Sequence, residues 1–564
     1  MLSLCAPFTY ADCLMDTTQQ QEALSTQKIH HLGLVMDVID QLGITEYIDK
    51  ELPLDAAKGA IVSMGQRVAA MITNGLGFVA SPLYMYPEFL EDKAVSRLFG
   101  KDITAEHFND DSLGRCLDAI HNYGVDKLFA GLAYRVALNA DLCGKSVHLD
   151  TTSLSLYGQY DQAEQGAQVA ALPKHGYSKD HRPDLKQMIV TLATTGPASL
   201  PIWMESHSGN ASDQVILQEA AQSMESFRAQ LQQAPDTMYV ADSAMYSSCV
   251  TKGKKLRWLS RVPASIGAAK SLLNKDDKEL AWRALPEGYR YTICESQYKG
   301  VKQRWCLVFS QQAYKKEVAT LEKTIDEEQS HAEKVLWHLS CQKFGCEQDA
   351  LQAVKQEEKH LKYHKLCVEV VPLLGYCTKG RPAAGASKEV QGYRIAGKVS
   401  PDEALVMKLK GTKGRFILAT NELNKEALPD EELLTVYKEQ QHTERGFRFI
   451  KDESFHLSSV YLKNPGRISA LMMVMVLCLL VYNYAQYHLR RSLSESGNTI
   501  PNQVKKPTSK PTMRYVFQLF DNVQLLRQED RGVKGPELVL NMTELLRGIV
   551  GYFGIRAQTI YGLA

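Results

Sequence analysis

The sequence predicts an α/β protein whose central sheet is interrupted by a mainly β insertion with a helical hairpin, and which begins with an α-helical domain. Three observations support this prediction. Residues 28–140 repeat apolar positions at helical spacing. Near Val147 the spacing changes to the alternation typical of strands, and strands and helices then follow one another. This order is interrupted between residues 266 and 430, after which an amphipathic stretch begins.

The bulk composition is that of a globular protein with more than one domain. The chain has 564 residues, of which 45% are hydrophobic and 23% charged. Its formal net charge of +1 gives no global basic excess, so a polyanion site must come from local clusters of cations. The 12 cysteines are scattered, and residues 1–16 lack the cationic flank of a secretion signal. We therefore expect a cytoplasmic protein.

Residues 1–140 are predicted to form the helical N-terminal domain. Its helical segments are separated by short Gly, Pro and Asp punctuation. They are LGLVMDVIDQLGI, MGQRVAAMITNGL, DDSLGRCLDAIHNYG and VDKLFAGLAYRVA. Binding of DNA ends is one interpretation of such a domain. Acidic residues outnumber basic ones between His30 and Ala130, so a role in dimerisation or as a scaffold is at least as well supported.

Residues 141–265 carry the pattern of the central sheet. A strand with Asp150 comes first, and a basic loop, Lys174–Leu185, leads into two further strands. A helix then begins at Ser212 or Asp213, and a buried strand ends at Asp242. A short helical segment and one more strand complete the unit. This order is the layout of a ribonuclease H-like sheet, in which the two aspartates would lie on adjacent central strands.

The remaining chain divides into three predicted parts. Residues 266–430 form the insertion, with β-hairpins and a charge-rich helical pair that breaks near Phe344. Residues 431–500 return to the central domain, and residues 501–564 form a C-terminal tail with two short helical segments. The apolar run Ile468–Tyr482 is shorter than the roughly 18 residues that a membrane span needs, so we predict a buried core helix and no membrane association.

The stretch Tyr437–Lys451 is predicted to be a helix with one chemically distinctive face. Residues three and four apart are neighbours on a helix, which places a phenol, an amide, a carboxylate and two cations together. They are Tyr437, Gln440, Glu444, Arg448 and Lys451. Without further information, a solvated helix with mixed charges explains this face equally well.

The carboxylates of Asp150, Asp242 and Glu444 form a candidate metal site. Two aspartates and a glutamate from distant positions can hold two Mg²⁺ ions that clamp a phosphoryl group for in-line displacement. Hard oxygen ligands suit Mg²⁺ or Mn²⁺ and not Zn²⁺. A single aspartate at a strand end is usually a cap or turn residue, but an aspartate strand, a second aspartate strand and a glutamate helix in this order are far more specific.

The chain resembles the DDE-type bacterial insertion-sequence transposases that carry a long insertion domain before the catalytic glutamate. Their signature is Tyr, two residues, Arg, three residues, Glu, six residues, Lys. Tyr437, Glu444 and Lys451 match it, and Gln440 stands where the family has Arg. The resemblance extends from about residue 30 onward. It includes VHLDTTSL, GYSKDHRPD, HSGNASD, YVADSAMYS, GRFILATN, ERGFRFIKD and VYLKNPGRISALMMVM.

This resemblance implies a ribonuclease H-like enzyme that cuts transposon ends and joins them to target DNA. Asp150, Asp242 and Glu444 would be both the catalytic residues and the metal ligands. The DNA-binding set would be Tyr437, Gln440, Arg448, Lys451 and, in the basic loop, Lys179 and Arg182. Gln440 can donate a hydrogen bond but lacks the bidentate cationic clamp of arginine, for which Arg448 or Arg445 would compensate.

The expected partners are terminal inverted repeats and target DNA, with a homodimer or higher multimer assembled on them near the nucleoid. Two alternatives stay open from the sequence. One is a ribonuclease H-like nuclease that cuts without strand transfer. The other is a domesticated DNA-binding protein that keeps the fold without the chemistry.

Overall fold

The N-terminal part of the chain is helical, as the spacing of its apolar residues predicts. The computed structural model describes residues 23–54, 60–77, 85–158, 160, 171–230, 237–246, 256–377, 385, 387–452, 462–530 and 533–564. After a short strand, the helices of this part pack around a core of aliphatic and aromatic side chains. The elements are β1 (Ala23–Lys28), α1 (Leu32–Gln41), α2 (Ile44–Glu51), α3 (Met64–Gly75), α4 (Tyr86–Glu91), α5 (Val95–Phe99), α6 (Asp110–Tyr123) and α7 (Val125–Asn139), with a 3₁₀ turn at Ala105–Phe108.

The central sheet begins with three antiparallel strands and continues with two strands parallel to the first. These elements are β2 (Ser146–Leu156), β3 (Lys186–Thr195), β4 (Leu200–Ser208), α8 (Asp213–Arg228), β5 (Met238–Ala241) and β6 (Arg257–Arg261). Their spatial order is β4-β3-β2-β5-β6. This order confirms the predicted ribonuclease H-like layout. The predicted short helix after β5 falls partly on residues 247–255, which lie outside the described residues.

The segment predicted as an insertion divides into two structural parts. Its elements are α9 (Gly267–Leu273), β7 (Arg283–Leu285), β8 (Tyr289–Tyr298), β9 (Val301–Ser310), α10 (Gln311–Cys341), α11 (Glu347–Glu358), β10 (His364–Gly375), β11 (Glu389–Pro401), α12 (Glu403–Gly411) and β12 (Arg415–Thr420), with 3₁₀ turns at Asp277–Glu279 and Pro286–Gly288. Strands β12, β9, β8 and β7 continue the central sheet beyond β6. The helices α10 and α11 instead pack on the hairpin β10–β11 around a separate small core.

The chain then returns across the sheet and ends against the N-terminal helices. The elements are α13 (Leu433–Lys438), α14 (Gln441–Ile450), α15 (Pro465–Glu495), β13 (Ile500–Pro501), β14 (Pro507–Thr508), α16 (Met513–Leu519), β15 (Gln524–Asp530), β16 (Val533–Leu540), α17 (Glu544–Val550) and α18 (Ile555–Ile560). Helix α15 is long and apolar enough to cross a membrane by length and composition. It packs against the N-terminal helices and β4, and 78% of its most apolar 18-residue stretch is buried inside the protein. It is therefore the core helix that the sequence predicts.

The C-terminal residues are not a detached tail, because they are hydrogen-bonded to the N-terminal part. Strand β15 pairs with β1 on one side and β16 on the other. The buried carboxylate of Asp37 accepts hydrogen bonds from the backbone N–H groups of Gly554 (2.9 Å) and Ala557 (3.1 Å), and so caps α18. The sequence predicted short helices here but missed strands β15 and β16. Strand β15 pairs with β1, which lies roughly 500 residues away along the chain.

Candidate active site on the central sheet

The two aspartates lie level with one another, Asp150 on β2 and Asp242 directly after the end of the neighbouring parallel strand β5. The register of β2 and β5 pairs His148 with Val240, so Asp150 and Asp242 each follow two residues further along. Asp150 Oδ1 accepts a hydrogen bond from the Thr151 N–H (2.7 Å), and Asp242 Oδ1 accepts one from the Ala244 N–H (2.9 Å). Each carboxylate is therefore oriented by one backbone group.

Glu444 lies on α14, which packs over the sheet next to β2. The helix that carries it is shorter than the sequence predicts. The prediction of one helix over Tyr437–Lys451 is wrong, because a turn at Glu439 and Gln440 separates α13 from α14. Bonds of the i→i−3 type tighten this turn, including Gln440 N–H to Tyr437 O. The turn lets α13 pack over β5 and β6 while α14 lies over β2 and β3.

Burial and charge link the three carboxylates and the tyrosine. Burial, with smaller contributions from the negative charges of Asp242 and Glu444, raises the pKa of Asp150 from 3.8 to about 6, although Lys179 and the Thr151 N–H oppose the rise. Burial also raises the pKa of Tyr437 to about 12. The same three carboxylates add to that rise. The fold thus brings Asp150 and Glu444, which lie almost 300 positions apart in sequence, close enough for their charges to interact.

The donor chemistry fits a divalent cation. Three carboxylates supply hard oxygen ligands, and burial raises the pKa of Asp150 with smaller contributions from the charges of Asp242 and Glu444, so a bound cation would favour its ionised form. Among the described residues, however, no three His, Cys, Asp or Glu side chains lie close enough together to form a ready ligand cluster. Asp150, Asp242 and Glu444 are the residues that would hold the ion.

Comparison with protein families agrees with this arrangement. The model of the family described as Transposase DDE domain matches residues 146–481, which run from β2 to the middle of α15 and contain all three carboxylates. The chain belongs to the DDE transposase family. The helical part before it, residues 24–134, matches a family described as a domain of unknown function, DUF4277.

Other comparisons with this transposase are weaker. A cryo-EM structure of the piggyBac transposase synaptic complex with hairpin DNA aligns with a TM-score of 0.35 at 9% sequence identity. The alignment covers 87% of this transposase and 79% of that chain. Similarity at this level transfers no property to the transposase. No curated protein gives a significant match.

The cations predicted to contact DNA are already bound to other groups of the transposase. Lys179 donates to the Thr151 carbonyl (2.7 Å) and hydroxyl (2.8 Å), so it ties the basic loop to β2 beside Asp150. Arg182 forms a bidentate pair with Asp184 in the same loop. Lys451 Nζ lies 2.7 Å from Asp180 Oδ1. The basic loop is therefore braced both to β2 and to the end of α14.

The signature residues of α13 and α14 do not share one face. Glu444 and Arg448 are exposed and lie 3.9 Å apart at their charged atoms. Gln440 is only 7% exposed, because the turn that ends α13 directs it into the protein. The structure thus brings Tyr437 and Glu444 toward the aspartates but keeps Gln440 away from the exposed surface.

Arg261 is a residue near the carboxylates that the sequence reasoning missed. The register of β5 and β6 pairs Ala241 with Ser260, which puts Arg261 level with Asp242. Arg261 is exposed, its positive charge opposes the raised pKa of Tyr437, and its guanidinium lies 5.3 Å from the centre of the Phe416 ring. The sequence could have indicated Arg261, because it lies near the end of the predicted strand that follows the strand ending at Asp242. Residues at the carboxyl ends of neighbouring parallel strands lie at the same edge of a sheet.

Proposed function

We propose that the chain is a DNA transposase that cuts the ends of an insertion sequence and joins them to target DNA by two-metal phosphoryl transfer, with Mg²⁺ or Mn²⁺. The observation that supports it most is the register of β2 and β5, which brings Asp150 level with Asp242, while the charge of Glu444 also acts on Asp150. Family membership supports the same activity. The enzyme would act in the cytoplasm as a multimer on two inverted-repeat ends.

In this proposal each aspartate uses one oxygen for its own orientation and the other for the ion. Backbone N–H groups hold Oδ1 of Asp150 and Oδ1 of Asp242, so both side chains are preorganised before DNA binds. Glu444, on an exposed helical face, completes the set from the solvent side. When bound, the ions would activate the attacking water or 3′-hydroxyl and stabilise the departing oxygen.

The residues around the carboxylates supply a binding surface for the phosphate backbone. Tyr437 stays protonated near neutral pH because its pKa is about 12, so its phenol can donate a hydrogen bond to a phosphate oxygen. Arg261 offers a guanidinium at the edge of the same site. We assign to Arg261 the cationic contact that the buried Gln440 does not provide. The further backbone contacts of Lys451, Lys179, Arg182 and Arg448 would require DNA phosphates to replace their present partners in the protein.

Charge-removing, isosteric variants test the catalytic assignment. Asp150→Asn, Asp242→Asn and Glu444→Gln should each abolish nicking of a labelled end in Mg²⁺, while the affinity for that end stays within about threefold of wild type, because the fold and the cations are kept. Glu432→Gln, at the exposed start of α13, is the matched control and should nick normally. Normal nicking by all three variants would exclude the proposed chemistry.

A second assay separates transposition from simple cleavage. Wild-type protein is supplied with a pre-cleaved end that carries a free 3′-hydroxyl, together with a supercoiled target plasmid. Joined products support a transposase, whereas cutting without joining indicates a nuclease, and binding without either reaction indicates a domesticated DNA-binding protein. Inverted repeats flanked by short direct repeats around the coding sequence would independently support the first of these outcomes.

The role of Arg261 is tested through affinity and salt dependence. Arg261→Gln should weaken binding of the end and reduce the slope of log K against log salt by about one, as expected for one lost phosphate contact. Arg491→Gln is a suitable control, because Arg491 is an exposed cation on α15 that pairs with Glu495. An equal loss of affinity in both variants would assign the effect to net charge alone.

A further inference from the structure

Thr443 immediately precedes Glu444 and is completely buried. Its hydroxyl donates to the His148 carbonyl oxygen at 3.1 Å and lies 2.7 Å from the hydroxyl of Thr194. Because the single proton of Thr443 goes to the carbonyl, the Thr194 hydroxyl is the donor in the second bond. The register of β2 and β3 pairs His148 directly with Thr194. Both partners of Thr443 therefore belong to one cross-strand pair.

On its face of the sheet, that cross-strand pair is the neighbour of the pair that contains Asp150. Asp150 pairs with Leu192, two residues from the His148 pair and on the same face of the sheet. Gly446, one turn after Thr443, lies over Leu192, since a Cβ atom added there would be 3.1 Å from Leu192 Cδ2. Helix α14 thus contacts two neighbouring pairs on one face of the sheet, and Glu444 lies in sequence between the two contacting residues, Thr443 and Gly446.

A second polar contact holds the turn before α14. Glu439 Oε2 lies 3.4 Å from Nε2 of His148, the residue whose carbonyl accepts from Thr443. His148 is itself buried, and its Nε2 lies 3.0 Å from the Ser146 hydroxyl. The start of α14 is therefore connected twice to the residue that lies two positions before Asp150.

Apolar packing alone does not fix the position of a helix along the strands on which it packs. Phe447 and Ile450 bury the underside of α14, but hydrophobic contact is non-directional, whereas a hydrogen bond is lost within a few tenths of an ångström. We propose that Thr443 is a positioning residue, which fixes α14 on β2 and β3 and thereby sets the place of Glu444 relative to Asp150. This inference rests on the proposed function, in which the two carboxylates act together.

The test must distinguish positioning from the ordinary contribution of a buried hydroxyl to stability. Thr73 is a matched control, because it is equally buried and its hydroxyl contacts the Ala70 carbonyl (2.7 Å) and the Tyr86 hydroxyl (3.2 Å) in the N-terminal part. Thr443→Val and Thr73→Val remove the same group with nearly the same volume. Thr443→Ser keeps the hydroxyl and serves as the rescue variant.

Three measurements are made on the full-length variants: affinity for a labelled end, single-turnover nicking of that bound end in Mg²⁺, and amide hydrogen exchange of residues 441–450. Thr443→Val should bind the end within about twofold of wild type, nick it about ten- to a hundredfold more slowly, and exchange faster over α14. Thr443→Ser should recover most of the rate and the protection. Thr73→Val should change neither.

Several results would overturn the proposal. Nicking by Thr443→Val at the wild-type rate would do so, as would a loss no larger than that of Thr73→Val, or a serine variant no better than the valine variant. Failure of the proposed function is recognised separately, because wild-type protein would then not nick the end at all. Hydrogen exchange still decides the structural claim in that case, since unchanged protection of α14 in Thr443→Val rejects it.

Discussion

Replacing Asp150 by asparagine should stabilise the protein in the absence of metal. Burial, together with the nearby carboxylates, raises the pKa of Asp150 from 3.8 to about 6. A tenfold difference in the acid dissociation constant between folded and unfolded states corresponds to about 1.4 kcal/mol, so about 3 kcal/mol is the upper limit of the cost of ionising this group in the folded state. For 564 residues, a melting entropy of about 1.2 kcal/mol per kelvin converts this into a rise in melting temperature of about 2 to 3 °C.

The sign of the pH dependence follows from the direction in which the pKa of Asp150 moves. Between pH 4 and pH 6 the unfolded chain loses the Asp150 proton while the folded chain retains it, so the free energy of unfolding of wild type falls as pH rises. The uncharged asparagine side chain of the variant carries no such penalty. The advantage of Asp150→Asn should therefore be complete at pH 7.5 and about half as large at pH 5, where a thermal melt in EDTA measures it.

Two controls make this prediction refutable. Asp213→Asn should lower the melting temperature, because Asp213 is paired with Lys179 (3.2 Å) and accepts a hydrogen bond from the Thr151 hydroxyl (3.0 Å). Added Mg²⁺ should raise the melting temperature of wild type more than that of Asp150→Asn, because the ion would neutralise the charge that the variant lacks. If Asp150→Asn melts below wild type at pH 7.5 in EDTA, the electrostatic reasoning is incorrect.

Three further substitutions address other contacts. Asp180→Asn releases Lys451 and should raise the affinity for end DNA up to about fivefold at low salt, because a partly exposed pair contributes under about 1 kcal/mol. A mobility-shift assay measures this change, which should vanish in a Lys451→Gln background. Asp430→Asn leaves the buried guanidinium of Arg304 without its negatively charged partner and should cost about 3 to 5 kcal/mol, measured by denaturant unfolding. Asp37→Asn weakens the cap of α18 and should cost about 1 to 3 kcal/mol, with proteolysis first at the C-terminus.

Matched controls are available for each of these substitutions. Asp184→Asn removes the same charge from the same loop, but its partner is Arg182, so its effect should persist without Lys451. Glu495→Gln breaks an exposed pair and should cost under about 0.5 kcal/mol. Asp40→Asn removes from the same helix only a half-exposed pair with Arg556 of α18 (3.4 Å), so it should expose the C-terminus to proteolysis less than Asp37→Asn does. Equal effects in a variant and its control would reject the corresponding argument.

The periodicity of the sequence predicted most elements of the fold, because local patterns of burial fix the type of a helix or strand. Strand order in the ribonuclease H-like unit followed from the succession of strands and one helix, and the structure has that order. The break between α13 and α14 was missed, since both sides continue one helical period and only packing against two different parts of the sheet requires a turn. The pairing of β1 with β15 was equally invisible, because it joins strands with no local signal for each other.

The sequence by itself named Asp150, Asp242 and Glu444, since residue type, spacing and the order of elements are all properties of the chain in one dimension. Only the tertiary structure decided how their neighbours are used. It buried Gln440, engaged Lys451 with Asp180, and brought Arg261 level with Asp242. The place of a carboxylate along a strand is set by the strand itself, whereas the availability of a cation depends on which other side chains the fold brings within reach of it.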